Sequence, residues 1–226
     1  MIVYGKQISL YILEKHPEII EEVYLQKEID KKLFYRFSNL AKIVRVDFKK
    51  AQAMAKGGNH QGFLLKIKDI SFSSLKDIKD EDFILVLYNI TDTGNIGAIV
   101  RSAYVFGVGG IVITAQNSIA LEPIIRTSSA ALLDMPIVLH PNCLDLINEL
   151  KMSDFTTYGA DFGGENVAKI DFDDKKAIFL GNEGSGIPDK ILKKLDKIIS
   201  IKMVRDFNSL NVSSAAAVIC DRIANG

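Results

Sequence analysis

The sequence of 226 residues has only two cysteines, no tryptophan and no net charge, so its composition alone does not indicate a particular class of protein. Cys143 and Cys220 lie in apolar helical patterns without partners at metal-ligand spacing, so we expect buried free thiols in a reducing compartment and no metal site. No apolar run approaches the ~18 residues of a membrane-spanning helix. The start, MIVYGKQ, has no basic region followed by an apolar one, so we expect no signal peptide and a cytosolic protein.

The zero net charge conceals an uneven distribution. Residues 1–70 carry five more basic than acidic residues, and residues 71–226 carry five fewer. Within 31–68, ten lysines and arginines accompany one acidic residue, Asp47. A basic surface of this kind suits a polyanion such as RNA, but a small domain with a solvated basic face has the same composition. Charge alone leaves both alternatives open.

A polar stretch rich in Ser and Asp separates two patterns along the chain. We predict a small α/β domain over 1–70, a linker over 71–82 and a larger domain over 83–226. The small domain has helical patterns and strand-like runs, the helices at 9–16 and 31–41 and the strands at 22–25, 42–46 and 63–67.

The larger domain alternates short apolar runs with helical patterns. The apolar runs, typical of buried strands, lie at 84–89, 110–114, 136–139, 156–160, 177–181 and 197–201. The helical patterns lie at 95–107, 122–133, 143–151, 188–195 and 209–223. This alternation predicts an α/β fold whose mainly parallel sheet is covered by helices on both faces.

The common nucleotide-binding signatures are missing from the larger domain. No G-x-G-x-x-G follows its first strand, which disfavours a Rossmann-type nucleotide enzyme, and no P-loop sequence is present. The glycine-rich GNEGSG at 181–186 follows a predicted strand, where glycine allows close approach to a ligand. Glu183 in its centre is a poor neighbour for phosphate, so we expect a neutral or positively charged ligand.

Three unusual motifs each follow a predicted strand. DTGNIGAIVRSA at 92–103 contains Asn95 and Arg101, which can both lie near one ligand if Asn95 caps the helix. FLGNEGSGI at 179–187 contains the glycine-rich turn. ISIKMVRDFNSLNVSSAAAV at 200–218 passes through a polar loop, and Ser209 and Asn211 lie at the start of an alanine-rich helix. Taken singly, each has an ordinary structural explanation as a capped helix or a turn.

The ordered set of three motifs resembles the SpoU (TrmH-like) RNA 2′-O-ribose methyltransferases over about the last 145 residues. In the small domain, Tyr4-Gly5-Lys6, Glu22–Leu25 and Asn59–Phe63 are similar to the substrate-binding domain of the RlmB-type branch, which methylates a guanosine ribose in large-subunit rRNA. The resemblance implies an α/β fold with a trefoil knot, S-adenosylmethionine as cofactor and a homodimer. It also implies 2′-O-methylation of a guanosine in 23S rRNA. The alternatives are a tRNA methyltransferase of the same family and a non-catalytic RNA-binding or ribosome-assembly protein.

The resemblance also implies site residues by motif match. Arg101 is expected to hold a phosphate and stabilise the ribose alkoxide. Glu183 either lies near the sulfonium of the cofactor or orders the loop or the dimer partner. The expected catalytic group is Asn95, Arg101, Glu183, Ser209 and Asn211. The expected cofactor site is Gly181, Asn182, Glu183, Ile201, Met203 and Leu210. The expected RNA contacts are His60, Lys49, Lys50 and Lys56.

Overall fold

A computed structural model of the protein describes residues 1–182, 184–205 and 209–226. The chain forms two compact units. The first unit comprises residues 1–71 together with 121–130, and the second comprises residues 72–120 and 131–226. Residues 121–130, in the middle of the chain, therefore belong to the same unit as the first 71 residues.

The first unit contains a four-stranded mixed sheet. Its strands are β1 (Ile2–Tyr4), β2 (Ile20–Leu25), β3 (Lys42–Arg45) and β4 (Phe63–Ile67), in the order β1-β4-β2-β3. β4 runs antiparallel to β1 and β2, whereas β2 and β3 are parallel. Its helices are α1 (Lys6–Lys15), α2 (Lys31–Ser38), α3 (Phe48–Met54) and α5 (Leu121–Thr127). The sequence interpretation missed β1 and α3, which are short.

Capping and burial explain why these elements form. Asp30 and Asp47 are the N-caps of α2 and α3, and each carboxylate accepts a backbone N–H from the first turn. The apolar run of β4 is buried almost completely, since β4 has a neighbour on each side. Large side chains that are fully buried in this core include Phe37, Phe63, Ile12, Leu25, Leu64 and Leu65.

The second unit contains a six-stranded sheet in which every neighbouring pair is parallel, as predicted. The strand order is β10-β8-β9-β5-β6-β7. The strands are β5 (Phe83–Tyr88), β6 (Gly110–Thr114), β7 (Ile137–His140), β8 (Thr156–Asn166), β9 (Lys176–Leu180) and β10 (Lys197–Ser200). The helices are α4 (Thr93–Val105), α6 (Cys143–Met152), α7 (Asp189–Leu192) and α8 (Val212–Asn225).

Both faces of this sheet are covered. Val86 and Phe179 pack in one cluster with residues of α6 and α7. The adjacent strand residues Leu85 and Ile178 point to the other face and are equally buried. Continuous burial along central strands is the pattern that parallel sheets require, and it explains why these strands read as unbroken apolar runs.

Two elements differ from the sequence prediction. The helix predicted over 122–133 ends at Thr127, because Ser129 and Ala130 adopt positive φ angles of 57° and 73° that a helix does not tolerate. A 3₁₀ turn follows at Ala131–Asp134. β8 continues to Asn166, six residues beyond the predicted run.

The two cysteines are buried and unpaired, as predicted. Burial raises the pKa of Cys143 to about 11 and that of Cys220 to about 12. Neither thiol is therefore activated as a nucleophile near neutral pH. Over the described part of the chain, no helix combines the length and the apolar character needed to span a membrane.

Candidate functional site

The three motifs meet at one edge of the parallel sheet. They follow β5, β9 and β10, and β9 lies between β5 and β8, which in turn pairs with β10. Carboxyl ends of parallel strands share one edge, and this edge is where α/β folds bind ligands. The loops that the sequence marked as unusual are therefore neighbours in space.

A cavity of about 460 Å³ is lined by the ends of β8, β9 and β10, the loops that follow β9 and β10, and α8, and the first motif contributes no residue to its described lining. Gly181, Asn182, Ile201, Met203 and Leu210 all line it, as does Ser209. Glu183 lies outside the described residues. The other lining residues are Ala160, Asp161, Phe162, Leu180, Gly184, Ser185, Gly186, Ile199, Ser200, Val212, Ala215 and Ile219. Asp161 is the one charged residue in the described lining, so the cavity is mainly apolar with a negative charge at one wall.

The glycine-rich loop closes tightly on itself. A Cβ on Gly181 would lie 2.4 Å from the backbone carbon of Gly186 and 2.6 Å from the nitrogen of Ile187, closer than any real contact. Asn182 holds this closure, since its backbone oxygen accepts the Gly186 N–H at 2.8 Å and its side-chain Oδ1 accepts the Gly184 N–H at 2.8 Å. The glycine at 181 is therefore required by the return of the chain beside it, in addition to any approach of a ligand.

The same asparagine ties this loop to the first motif's strand. Asn182 Nδ2 donates to the carbonyl oxygen of Asn89, just after β5, at 3.1 Å. Asn89 itself has a positive φ of 52°, a conformation that asparagine tolerates better than most residues. The end of β5 and the loop after β9 are thus held together by one side chain.

A second asparagine joins the first motif to the third. Asp92, not Asn95, is the N-cap of α4, and its Oδ1 accepts the Asn95 N–H at 2.7 Å. The interpretation of Asn95 as the cap is wrong, because a carboxylate three residues earlier already fills that role. Asn95 Oδ1 instead accepts a hydrogen bond from Asn211 Nδ2 at 3.0 Å. Asn211 is also the N-cap of α8, where its Oδ1 accepts the Ser213 N–H at 2.9 Å.

Arg101 occupies a different position. It is exposed on α4, six residues from Asn95 or about 9 Å along the helix axis. Neither residue belongs to the described lining of the cavity. The structure thus brings together Asn95 and Asn211 and groups the described members of the expected cofactor set around the cavity, while Arg101 is exposed on α4 outside the described lining.

The wall formed by the end of β8 was missed from the sequence. Ala160, Asp161 and Phe162 line the cavity because β8 extends past the predicted strand. A Cβ on Gly164 would lie 2.5 Å from the backbone of Ile199, so this glycine lets β8 and β10 approach where their register shifts. The DFGGEN sequence at 161–166 was the available signal, since paired glycines in a strand mark irregular pairing.

The predicted RNA contacts lie in the first unit and differ in exposure. Lys49 and Lys50 are exposed on α3. The Lys56 ammonium lies 3.3 Å from the carboxylate of Glu122 in α5, so part of its charge is neutralised. His60 is buried, with 5% of its surface exposed. Across the described ranges, no cluster of three or more His, Cys, Asp or Glu side chains is arranged to bind a metal.

Comparison with known families places the chain in a class. Residues 82–221 match the SpoU rRNA Methylase family. Residues 2–73 match the family described as RNA 2′-O ribose methyltransferase substrate binding. The chain therefore belongs to the SpoU rRNA methylase family of RNA methyltransferases.

Individual relatives agree with this membership. An uncharacterized tRNA/rRNA methyltransferase of Borreliella burgdorferi is 34% identical over 79% of this chain and 85% of its own length. The SpoU methyltransferase AviRb of Streptomyces viridochromogenes, solved in complex with AdoMet, superposes with a TM-score of 0.81 at 22% identity, over 99% of this chain and 89% of that one. An AdoMet-bound rRNA methyltransferase of Sinorhizobium meliloti gives 0.80 at 18% identity, over 98% and 85%.

Proposed function

We propose that the protein transfers a methyl group from S-adenosylmethionine to the 2′-oxygen of a guanosine ribose in 23S rRNA. The observation that carries this proposal is the cavity at the carboxyl edge of the sheet, which the second and third motifs line and to which the first motif is joined by the hydrogen bond between Asn95 and Asn211. The family membership supports the RNA methyltransferase class, and the guanosine and the large-subunit rRNA come from the resemblance of the first unit to the RlmB-type branch.

The described lining fits S-adenosylmethionine. A cavity of about 460 Å³ is in the range of small-ligand sites, and its apolar walls suit a nucleoside face. The cofactor carries a sulfonium and one net positive charge, and Asp161 is the charged lining residue, which favours a cation. AviRb and the Sinorhizobium meliloti enzyme, which share this fold, were solved with AdoMet bound. We propose that Gly181, Asn182, Ile201, Met203 and Leu210 hold the cofactor, and that Glu183 borders the same site.

S-adenosylmethionine supplies an activated methyl group, so the task of the protein is to position the ribose hydroxyl and stabilise its developing negative charge. Arg101 is the side chain we propose for that charge. A guanidinium has a pKa above ~12 and remains protonated, so it serves as a phosphate and alkoxide partner rather than as a base. Its exposure on α4 leaves it open to the RNA backbone.

The two asparagines and Ser209 are proposed as positioning residues. Asn211 fixes the start of α8 and, through Asn95, the start of α4. Movement of either helix start would shift Leu210 and Val212, which line the cavity beside Asn211. Ser209 lines the same wall and is exposed, so its hydroxyl can order the loop or the ribose.

We further propose that the protein is a homodimer and that it acts in the cytoplasm. We also propose that its second unit contains the trefoil knot that the resemblance implies. Apolar side chains are exposed on the two helices that pack together, Tyr104 and Val105 on α4 and Val218 on α8. Val105 exposes 70% of its surface, which is costly unless another surface covers it. Sedimentation equilibrium measures the oligomeric state directly, and Val105→Lys is the variant expected to disrupt the dimer.

The deciding experiment is methyl transfer from labelled S-adenosylmethionine to unmodified large-subunit rRNA and, separately, to bulk tRNA. An alkali-resistant 2′-O-methylguanosine in the rRNA is the expected product. Label in tRNA alone would replace the substrate by that of the tRNA branch. Absence of cofactor binding in calorimetry would overturn the enzymatic proposal and leave an RNA-binding or ribosome-assembly protein.

Arg101→Ala tests the proposed chemistry. We expect the variant to keep cofactor binding and lose methyl transfer by at least a hundredfold, because the alkoxide and the adjacent phosphate lose their cationic partner. Arg101→Lys is the matched control, and it should recover only part of the activity because an ammonium cannot form the bidentate contact. Full activity in Arg101→Ala would remove this residue from the mechanism.

A further inference from the structure

The first unit contains a cavity of its own. It measures about 450 Å³, and its described lining residues all lie between 26 and 62. Its lining differs in kind from a hydrophobic core, because most of the side chains are polar. The lining residues are Gln26, Lys27, Phe48, Gln52, Gly57, Gly58, Asn59, His60, Gln61 and Gly62.

The loop that encloses this cavity has an unusual backbone. Lys56 and Gln61 have φ angles of 50° and 52°, in the left-handed region that L-residues other than asparagine rarely adopt. A Cβ on Gly58 would lie 2.1 Å from the hydroxyl of Tyr4, and one on Gly62 would lie 2.6 Å from the Lys27 side chain. The loop is therefore packed into a defined shape, and strained backbone held in place in this way is common at binding sites.

An aromatic pair forms one side of the cavity. Phe48 is the first residue of α3 and exposes 64% of its surface, although a phenylalanine normally gains free energy from burial. Its ring lies 5.9 Å from the buried ring of His60, at an angle of 52°. His60 thus contacts the Phe48 ring, and most of the Phe48 surface remains exposed.

His60 also has a polar atom to offer. Its Nδ1 accepts the Gly62 N–H at 3.0 Å, so the neutral imidazole carries its proton on Nε2. Within the described ranges, Nε2 has no hydrogen-bond partner. A ring that is 95% buried, lines a cavity and keeps a donor unused is well suited to a ligand that accepts a hydrogen bond.

Side-chain amides surround this aromatic pair. Those of Gln26, Gln52 and Asn59 make no hydrogen bond to any residue that the structure describes. Gln61 uses its Oε1 to accept the Lys6 N–H at 3.0 Å, which leaves its NH₂ group to donate. Amides present both donors and acceptors, the combination that reads the hydrogen-bonding edge of a nucleobase.

Positive charge outweighs negative charge in the stretch that builds the cavity, since residues 26–62 contain nine lysines and arginines and three acidic residues. Lys27 lines it, and Lys49 and Lys50 follow Phe48 on α3. Asp47, the single acidic residue between 31 and 68, uses its carboxylate to accept the Lys50 N–H at 2.7 Å as a helix cap. Phosphate groups flanking a bound base would therefore meet ammonium groups.

We propose that this cavity binds an unpaired nucleobase of the RNA substrate, with the base stacked on Phe48 and its edge read by His60 and the amides. The proposal rests on the proposed function, since it requires an RNA substrate, and adds a specificity site far along the chain from the methyl-transfer motifs. The base must be unpaired, because pairing would occupy the edge that the amides and His60 address. Phosphate attraction alone would place ligand along the lysines and leave Phe48 unused.

Binding of a labelled single-stranded RNA decamer to the full-length protein, at one fixed salt concentration, tests the proposal without methyl transfer. Phe48→Ala should weaken binding about tenfold, the effect of removing one base–aromatic stack. Tyr35→Ala is the matched control, because Tyr35 is also an exposed aromatic, at 66%, but on α2 and outside the cavity lining. The control should bind like the wild type.

A spectroscopic readout separates stacking from simple loss of contact. The protein has no tryptophan, so Phe48→Trp introduces a single indole and keeps the aromatic face. Unpaired RNA should quench its fluorescence at wild-type affinity. An oligomer of tetrahydrofuran phosphates, which has the charge but no bases, should not quench it.

The outcomes distinguish this proposal from the proposed function. If Phe48→Ala binds the decamer as the wild type does while the wild type methylates RNA, the base site is wrong and the methyltransferase proposal stands. Equal weakening by Phe48→Ala and Tyr35→Ala, or equal quenching by the base-free oligomer, would also overturn the base site. Loss of stacking in Phe48→Ala without methyl transfer by the wild type would retain the base site and reject the activity.

Discussion

The two cavities of this protein are almost equal in volume, about 460 and 450 Å³, and almost opposite in chemistry. The cavity of the second unit is mainly apolar, and its charged residue among those described is Asp161. The cavity of the first unit is lined by amides, an imidazole and a lysine. The difference indicates a small ligand with apolar faces and positive charge in one, and a polyanion that offers a base edge in the other.

The origin of the two cavities also differs. The second unit's cavity lies at the carboxyl edge of a parallel sheet, where several loops converge from separate parts of the chain. The first unit's cavity comes from one continuous stretch of 37 residues and one bent loop. Because it is built locally, the cavity of the first unit is easier to alter by single substitutions. The cavity of the second unit depends more on the fold as a whole.

Gly181→Ala is expected to have the largest effect, confined to the apolar cavity. The added methyl would meet the backbone of Gly186 and Ile187 at 2.4 and 2.6 Å, and backbone does not move aside easily. We expect loss of detectable S-adenosylmethionine binding in calorimetry and a decrease of about 1–3 kcal/mol in the free energy of unfolding.

Gly163→Ala, in β8 beside the cavity wall, is the matched control. A Cβ there would meet no atom of the described residues within 4 Å, and Gly163 is not among the described lining residues of the cavity. Cofactor affinity within about threefold of the wild type is expected. Tight binding by Gly181→Ala would show that the loop opens without cost and that its closure is not what shapes the cavity.

Asp161→Lys tests the contrast of charge with a smaller effect. A positive wall opposite a sulfonium ligand should weaken cofactor binding about tenfold or more, since reversal of a poorly screened charge costs about 1–2 kcal/mol. The cofactor affinity of Asp161→Asn should lie between that of Asp161→Lys and that of the wild type. The binding of single-stranded RNA should stay unchanged in both variants, and a parallel loss there would mean that the two cavities are not independent.

The sequence was most informative about the buried strands. β4 and β6 were predicted at their observed bounds, because unbroken apolar runs between turn residues have few alternatives. Asn182, Ser209 and Asn211 were found because the motifs that contain them resemble those of the SpoU family, and these motifs follow strands whose carboxyl ends share one edge of the sheet. The motifs thus located the cavity although they gave no distances.

The misses have physical causes that no local pattern reveals. Asp92 and Asn95 are both good caps, and only the helix geometry shows which carboxylate or amide reaches the first free N–H. Phe48 was not singled out from the sequence, because exposure cannot be read from residue type. Phe162 and Asp161 were missed because a glycine pair obscured the end of β8, where close approach to β10 determines the structure.

The smallest expected effect concerns a charge cluster outside both cavities. Tyr158 donates a hydrogen bond to Asp173, and the Lys197 ammonium lies 2.7 Å from the same carboxylate. These contacts hold the pKa of Asp173 below its usual value of 3.8, and the hydrogen bond from Lys197 contributes most to the lowering. A lowered carboxylate pKa stabilises the folded protein above the unfolded-state value of ~3.9 and loses that contribution as the pH falls through the folded value.

Asp173→Asn should therefore lower the free energy of unfolding by at most about 1 kcal/mol at pH 7, because the pair is nearly half exposed and screened by water. The difference from the wild type should shrink as urea unfolding is repeated from pH 5 to pH 2, since protonation removes the same interaction. Cofactor and RNA binding at pH 7 should not change, because Asp173 lines neither cavity. A difference that stayed constant down to pH 2 would show that Asp173 acts through packing rather than charge.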